Sequence, residues 1–223
     1  MARLNWFALT AAVGLAYFLI RPDAQGDTNL EENDTNIGPK PTEDNVSRTP
    51  SVGELGTIDP NAQDVVGAFL YMIRASEHVY PDDVVNDAAY RTFYGGSRFN
   101  NLADHPVNTG EKKGIKLPDA FCKAAGLKPG CVSTAAGAYQ IIRPTWNRLK
   151  AEYGLPDFSP SSQDAAAIYL LVESGAYELI VAGDIEGAIK KASKIWASLP
   201  GNTYGQGPKS LAYALDRFNE GLA

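Results

Sequence analysis

The run Asp59-Pro60-Asn-Ala-Gln-Asp-Val-Val66-Gly-Ala-Phe-Leu70-Tyr-Met-Ile73-Arg-Ala-Ser-Glu77 opens the folded part of the chain and carries its most informative carboxylate. An Asp followed by Pro is a good helix start, a capping side chain and then a residue suited to the first helical position. Val66, Leu70 and Ile73 recur at helical spacing, so a stripe faces inward and Glu77 stands at its end. A carboxylate in the last turn also sits against the helix dipole. Burial and dipole both disfavour the charged form and raise the pKa, as a general acid working near neutral pH requires. The other reading puts Glu77 on the surface just past the helix end, paired with Arg74 or His78. Helix position alone leaves both open.

Downstream, the same periodicity predicts four more helices. One runs from about Thr145 to Tyr153, with Trp146, Leu149 and Tyr153 on one side and Gly154 as the stop. Ser159-Pro160 opens another whose core, Ala165–Val172, is almost wholly apolar and which Gly175 ends. That helix should be central. A fourth starts at Asp184, shows Ile185, Ala188, Ile189, Ala192 and Ile195, and finishes among Lys190, Lys191 and Lys194, where the dipole favours cations. The last begins at Pro208 and shows Leu211, Leu215 and Phe218. Between 80 and 116 helical periodicity fails, and the Tyr-, Phe-, Gly- and Asn-rich text suits short strands and loops, Tyr90–Tyr94 before Gly95-Gly96 in particular. Residues 59–223 thus read as one domain of the α+β class, mainly helical with a small β-rich lobe.

Charge is unevenly spread over the 223 residues, whose net charge is −6. Residues 1–22 carry +2, residues 23–60 carry −7, and residues 61–223 carry sixteen bases against seventeen acids. This balance speaks against a nucleic-acid partner, and the 44% hydrophobic content excludes a wholly disordered chain. Residues 6–20 form an uncharged apolar run behind Arg3, short for a bilayer span but long enough for a signal h-region. A proline stands where a cleavage site wants a small residue, so residues 1–22 are first read as an uncleaved membrane helix, with a cleaved signal or a buried helix as alternatives. The basic arm and acidic sequel predict an N-terminus in the cytoplasm and the bulk across the inner membrane. Residues 23–58, polar and without periodicity, read as a disordered tether.

Cys122 and Cys131 flank a Lys-Pro-Gly turn. In an exported domain a local disulfide is expected, worth roughly 2–3 kcal/mol by chain entropy; in a reducing compartment they would be thiols. His78 and His105 lack metal-ligand spacing with them, so neither metal nor cofactor is expected.

Two further segments suit sugar recognition. Ser133-Thr-Ala-Ala-Gly-Ala-Tyr139-Gln140-Ile141 offers small residues for close approach, then a ring and an amide; helix packing would explain it as well. Ile195-Trp-Ala-Ser-Leu-Pro-Gly-Asn-Thr-Tyr204-Gly-Gln206 runs from a helix end into a turn that presents Tyr204 and Gln206. In it Trp196 is more naturally a core residue than a sugar platform.

These segments, with Ala68-Phe-Leu-x-Met-Ile-x-x-Ser-Glu77, Tyr90…Gly95-Gly96, Asp104-His105-Pro106 and Phe158-Ser-Pro-x-Ser-Gln-Asp-Ala165, stand in the order found in lambda-type phage endolysins. The chain resembles that family, lytic transglycosylases of the lysozyme superfamily, over about residues 62–220. It departs from the pattern between 107 and 132, where it carries extra residues and both cysteines, and in its apolar N-terminus and acidic tether. The resemblance implies a lysozyme-like domain acting on peptidoglycan glycan strands, with Glu77 as the single catalytic carboxylate and Ser133, Tyr139, Gln140, Tyr204 and Gln206 lining or supporting the saccharide groove. It implies 1,6-anhydro products and a role in host lysis. The competing expectations are a hydrolytic muramidase using Glu77 with Asp87 and Thr92, an enzyme carried on the virion for entry, and a wall-binding module that has lost the chemistry.

Overall fold

The structure, a computed structural model, describes residues 60–78, 84, 87–124, 127–201 and 208–223. The expected N-terminal membrane helix and the tether lie outside the described residues, and among those described no helix is long and apolar enough to cross a membrane. Seven α-helices are described: α1 (Pro60–Glu77), α2 (Asp119–Ala124), α3 (Arg143–Tyr153), α4 (Pro160–Ser174), α5 (Tyr177–Val181), α6 (Ile185–Ala192) and α7 (Leu211–Gly221). Two strands, β1 (Ile115–Lys116) and β2 (Val132–Ser133), pair antiparallel with Ile115 opposite Ser133.

Capping chemistry sets several of these limits. The Ser159 hydroxyl accepts from Ser162 N at the start of α4, and Asp184 accepts from Gly187 N at the start of α6. α3 and α4 end at Gly154 and Gly175, as the sequence predicts. Four expectations need correction. α7 starts at Leu211 rather than Pro208, because Ser210 is the cap and accepts from Tyr213 N. α6 stops at Ala192, so Lys194 and Ile195 lie beyond it in a turn. α3 begins two residues earlier than Thr145, with Pro144 in its first turn. Tyr90–Tyr94 is not a strand: short 3-10 turns at Ala88–Arg91 and Tyr94–Gly96 enclose isolated bridges of Thr92 with Arg98 and of Phe93 with Ala136. Among the described residues the β-rich lobe is therefore reduced to one two-residue strand pair and a few isolated bridges. The helices α2 and α5 went unforeseen because six and five residues give too short a period to detect.

α1 packs along α7 and against α5. The approach of α1 to α7 is close because Gly221 has no side chain; a Cβ there would stand 2.8 Å from Ala68 Cα. Phe69 and Phe218 meet edge to face at 6.5 Å. α4 is buried through Ala166, Ala167, Tyr169, Leu170 and Leu171, the central helix its apolar text predicts. A second nucleus surrounds Phe158, whose ring meets Trp146 at 4.7 Å, His105 at 5.2 Å and Phe99 at 5.9 Å. Asp104 anchors it by accepting from Trp146 Nε1 at 2.7 Å and Lys150 Nζ at 2.9 Å. Those donors hold its carboxyl down to about 2 against the upward pull of burial. Burial pushes His105 down to about 4, so it is neutral and bonds Ile141 O through Nε2. The Asp104-His105-Pro106 motif is thus part of the scaffold.

Gln163 joins α4 to the segment facing α1. Its Nε2 donates to Tyr90 O at 3.0 Å and Phe158 O at 2.8 Å, and its Oε1 accepts from Ala138 N at 2.9 Å. Gly137 is required there: its φ is +78°, and a Cβ would collide with the Gln163 carboxamide. Gln163→Leu keeps the volume but leaves three buried backbone groups without partners. It should destabilise the domain by roughly 3 kcal/mol, lowering Tm by about 6–12 °C in thermal unfolding followed by circular dichroism.

Candidate active site

Glu77 closes α1 with only 4% of its surface exposed. The inward stripe of Val66, Leu70 and Ile73 carries it into the interior, so the surface reading, with pairing to Arg74 or His78, is set aside. Its Oε1 accepts a 2.5 Å hydrogen bond from Ser198 Oγ, and its Oε2 is buried with no donor among the described residues. Burial pushes the carboxyl up to about 7 from the ordinary 4.5, partly offset by the Ser198 hydroxyl and then by the positive charge of Lys209. The result is an acid protonated in weakly acidic solution and poised to release its proton near neutrality, with one oxygen free to meet a reacting group.

Ser198 went unassigned in the sequence, although it lies inside the Ile195–Gly201 motif. It reaches Glu77 from 121 positions away. Its carbonyl accepts from Lys209 N at 2.9 Å, and two residues before it the Trp196 side chain donates through Nε1 to Tyr139 O at 3.1 Å. Trp196 is 1% exposed, a core residue as expected.

The segment from Ser133 to Ile141 forms the wall beside Glu77. His78 Nε2 pairs with Ala138 O at 3.0 Å, which joins the residue after the acid directly to that wall. Tyr139 is fully buried and offers no stacking plane. Its hydroxyl accepts from Arg74 Nη1 at 3.0 Å and donates to Asp164 Oδ1 at 2.5 Å, while Tyr90 donates to the same oxygen at 2.7 Å. Arg74, one turn before Glu77, lies 5.7 Å from the Tyr90 ring centre and 6.0 Å from that of Tyr139. Gln140 is also turned inward. Its φ is +48° and its Nε2 donates to Gly137 O at 2.9 Å and Thr92 O at 3.3 Å. Ser133 is buried, its hydroxyl accepting from Ala135 N. Of the residues expected at the groove, Ser133, Tyr139 and Gln140 are buried, with their polar groups engaged within the chain. Tyr204 and Gln206 lie outside the described residues.

Burial, with a small addition from the charge of Asp87, pushes the Asp164 carboxyl up. Thr92 Oγ1 donates to Ala88 O and accepts from Arg98. Cys122 and Cys131 form the expected disulfide, with Cα atoms 5.8 Å apart. No cluster of His, Cys, Asp and Glu suited to a metal occurs among the described residues.

The raised Glu77 carboxyl has a consequence for stability. Below about pH 4.5 folded and unfolded states both hold the proton, and the group contributes no pH dependence. Between 4.5 and 7 the unfolded state releases it while the folded state keeps it, so stability falls as pH rises. The total is on the order of 3 kcal/mol. Glu77→Gln removes this slope. Urea denaturation should find the variant more stable than the parent by that order at about pH 8 and matched to it at about pH 4.

A family model described as Endolysin matches residues 67–222. The chain is 38% identical to the endolysin of Escherichia phage lambda over 131 residues, 59% of this chain and 73% of the relative. It is 37% identical to the endolysin of Escherichia phage P2 over 156 residues, 68% of this chain and 88% of the relative. Among solved structures, bacteriophage lambda lysozyme complexed with a chitohexasaccharide matches with a TM-score of 0.57 at 34% identity, covering 74% of this chain and 96% of that one. With the fold, the buried acid and its wall in the same region as these matches, the chain belongs to the endolysin family, lysozyme-like phage enzymes that act on peptidoglycan.

Proposed function

We propose that the chain is a lytic transglycosylase that cuts the bond between N-acetylmuramic acid and N-acetylglucosamine, with Glu77 as its single catalytic carboxylate. The observation that carries this reading is the electrostatic surrounding of Glu77. Glu77 is buried, pushed up to about 7 and bonded through Oε1 to Ser198, a state from which one carboxyl can give and then take a proton. Hydrolysis with retention or inversion normally uses two carboxylates across the scissile bond. Both hydrogen-bonding roles of the Thr92 hydroxyl are taken within the chain, which favours the single-carboxylate reading over one in which Thr92 positions a water.

In the proposed reaction the neutral Glu77 carboxyl gives its proton to the glycosidic oxygen as the C1–O bond breaks, and the glucosamine end leaves as an alcohol. The acetamido oxygen of the muramic residue stabilises the cationic C1. Glu77, now a carboxylate held by Ser198, takes the proton from the muramic C6 hydroxyl, whose oxygen closes onto C1. The acid is restored, no water is consumed, and the product ends in a 1,6-anhydro ring. A pKa near 7 suits a group that must both give and take a proton in one cycle. Neither metal nor cofactor enters these steps. The chitohexasaccharide held by bacteriophage lambda lysozyme supports an extended glycan as the ligand.

We infer that residues 6–20 hold the enzyme at the host inner membrane, the N-terminus in the cytoplasm and the domain in the periplasm, for lysis of the host. The uncharged run, the basic arm before it and the acidic segment after it support this orientation.

Mass spectrometry of fragments released from purified peptidoglycan tests the chemistry. The full chain should release products one water lighter than reducing-end muropeptides, and Glu77→Gln should release none. Reducing-end products would make the enzyme a hydrolase, and absence of products from the parent would return the wall-binding module. Protease added to intact spheroplasts should degrade the domain if the orientation is right; full protection would reverse it.

A further inference from the structure

The segment in which the chain departs from lambda-type endolysins carries the densest positive charge of the domain. Residues 61–223 hold sixteen bases and seventeen acids; five of those bases and two of those acids fall within 111–131, leaving eleven against fifteen elsewhere. Both acids of this stretch are occupied within it or beside it. Glu111 accepts from Asn100 N and Asn101 N at 2.8 Å each, and Asp119 accepts from Gly130 N at 3.1 Å. Lys113, Lys116, Lys123 and Lys128 are exposed, and Lys112 reaches only Ser97 Oγ, at 3.3 Å. Among the described residues none of the five lysines is in an ion pair. Val132, 46% exposed, is paired with Lys116 on one face of the strand pair, and Ile115, 38% exposed, is on the other.

This cationic surface is held rigid and close to the site. The Cys122–Cys131 disulfide and the hydrogen bond from Leu117 N to Cys131 O close its base. Ile115 Cδ1 lies 3.7 Å from where a Cβ of Gly95 would stand, which seats β1 on the Tyr94–Gly96 turn. From Ser133 in β2 the chain runs directly into the wall, and Ala138, whose carbonyl meets His78, is five residues on. Five extended residues span at most about 17 Å, so β2, with Lys116 paired opposite Val132, lies no further than that from the Ala138 carbonyl that His78 meets.

We propose that Lys112, Lys113, Lys116, Lys123 and Lys128 form a recognition surface for the carboxylate-bearing peptide stems of the glycan strand, so that the enzyme selects strands still carrying their peptides. The inference rests on the peptidoglycan reading above and adds a specificity to it. In the stem-bearing strand the lactyl carboxyl of each muramic residue is tied up as an amide and the charge sits on the stems, which carry several free carboxylates and small methyl-bearing residues; stripping leaves only one lactyl carboxylate per muramic residue. The stem carboxylates suit the ammonium groups, the methyl groups Val132 beside Lys116. Several exposed charge pairs, each weak alone, add up when presented together on a braced surface.

The test reads binding rather than turnover, so it stands apart from the fate of the transglycosylase reading. The full chain bearing Glu77→Gln is titrated with soluble glycan strands, either carrying their stems or stripped of them by an amidase. Stem-bearing strands should bind about tenfold tighter, with the difference shrinking in about 1 M salt. Lys113→Gln, Lys116→Gln and Lys128→Gln together should reduce the difference to about twofold, while Lys190→Gln, Lys191→Gln and Lys194→Gln, in α6 and the turn after it, leave it in place. Equal affinity of the parent for both strands would overturn the proposal, as would equal losses in the two triple variants. Tighter binding by the first variant would also overturn it and assign the lysines to the acidic segment 23–60 of the chain itself.

Discussion

The hydrogen bond from Ser198 to the buried carboxyl of Glu77 is the contact around which the domain is organised. It requires the end of α1 and the turn after α6 to meet in a place closed to water. Burial alone would push the acid further up; the hydroxyl and the charge of Lys209 draw it back to about 7. An acid in that range can both give and take a proton near neutral pH. The same burial destabilises the fold above neutrality, a local cost that an apolar or amide residue would not incur.

The meeting is held by layers of buried polar bonds. Trp196, two residues before Ser198, bonds the Tyr139 carbonyl, and the Tyr139 hydroxyl links Arg74 to Asp164. Arg74 is one turn from Glu77 on α1, and His78 bonds the wall directly at Ala138. Gln163 ties that wall to α4, while the cluster of Asp104, Trp146 and Phe158 braces α3. Buried groups of this kind are costly unless each finds its partner, so they specify one arrangement of helices and turns.

Some of this was legible from the residues alone. The helix limits that depend on a cap or a glycine stop could be placed within a residue or two, because Ser159, Asp184, Gly154 and Gly175 act within one turn of themselves. Where the expectation missed, a competing local device was present, as with Ser210 at the start of α7. Tyr90–Tyr94 looked like a strand because it is aromatic and follows no helical period. Its backbone instead forms 3-10 turns, and the Tyr90 ring and hydroxyl are committed to Tyr139 and Asp164.

What the sequence by itself determined was the position of the acid at the end of an apolar stripe and the family carried by six ordered motifs; it left the two nearby cysteines as a disulfide or thiols. The first two depend on spacing along the chain, which periodicity and chemistry record directly. The tertiary structure alone decided that Ser198 is the partner of Glu77 and that Tyr139 and Gln140 turn inward. It also decided how far the proton affinity of Glu77 rises. Those outcomes depend on which distant groups share a dry volume, and that is settled only when the helices pack.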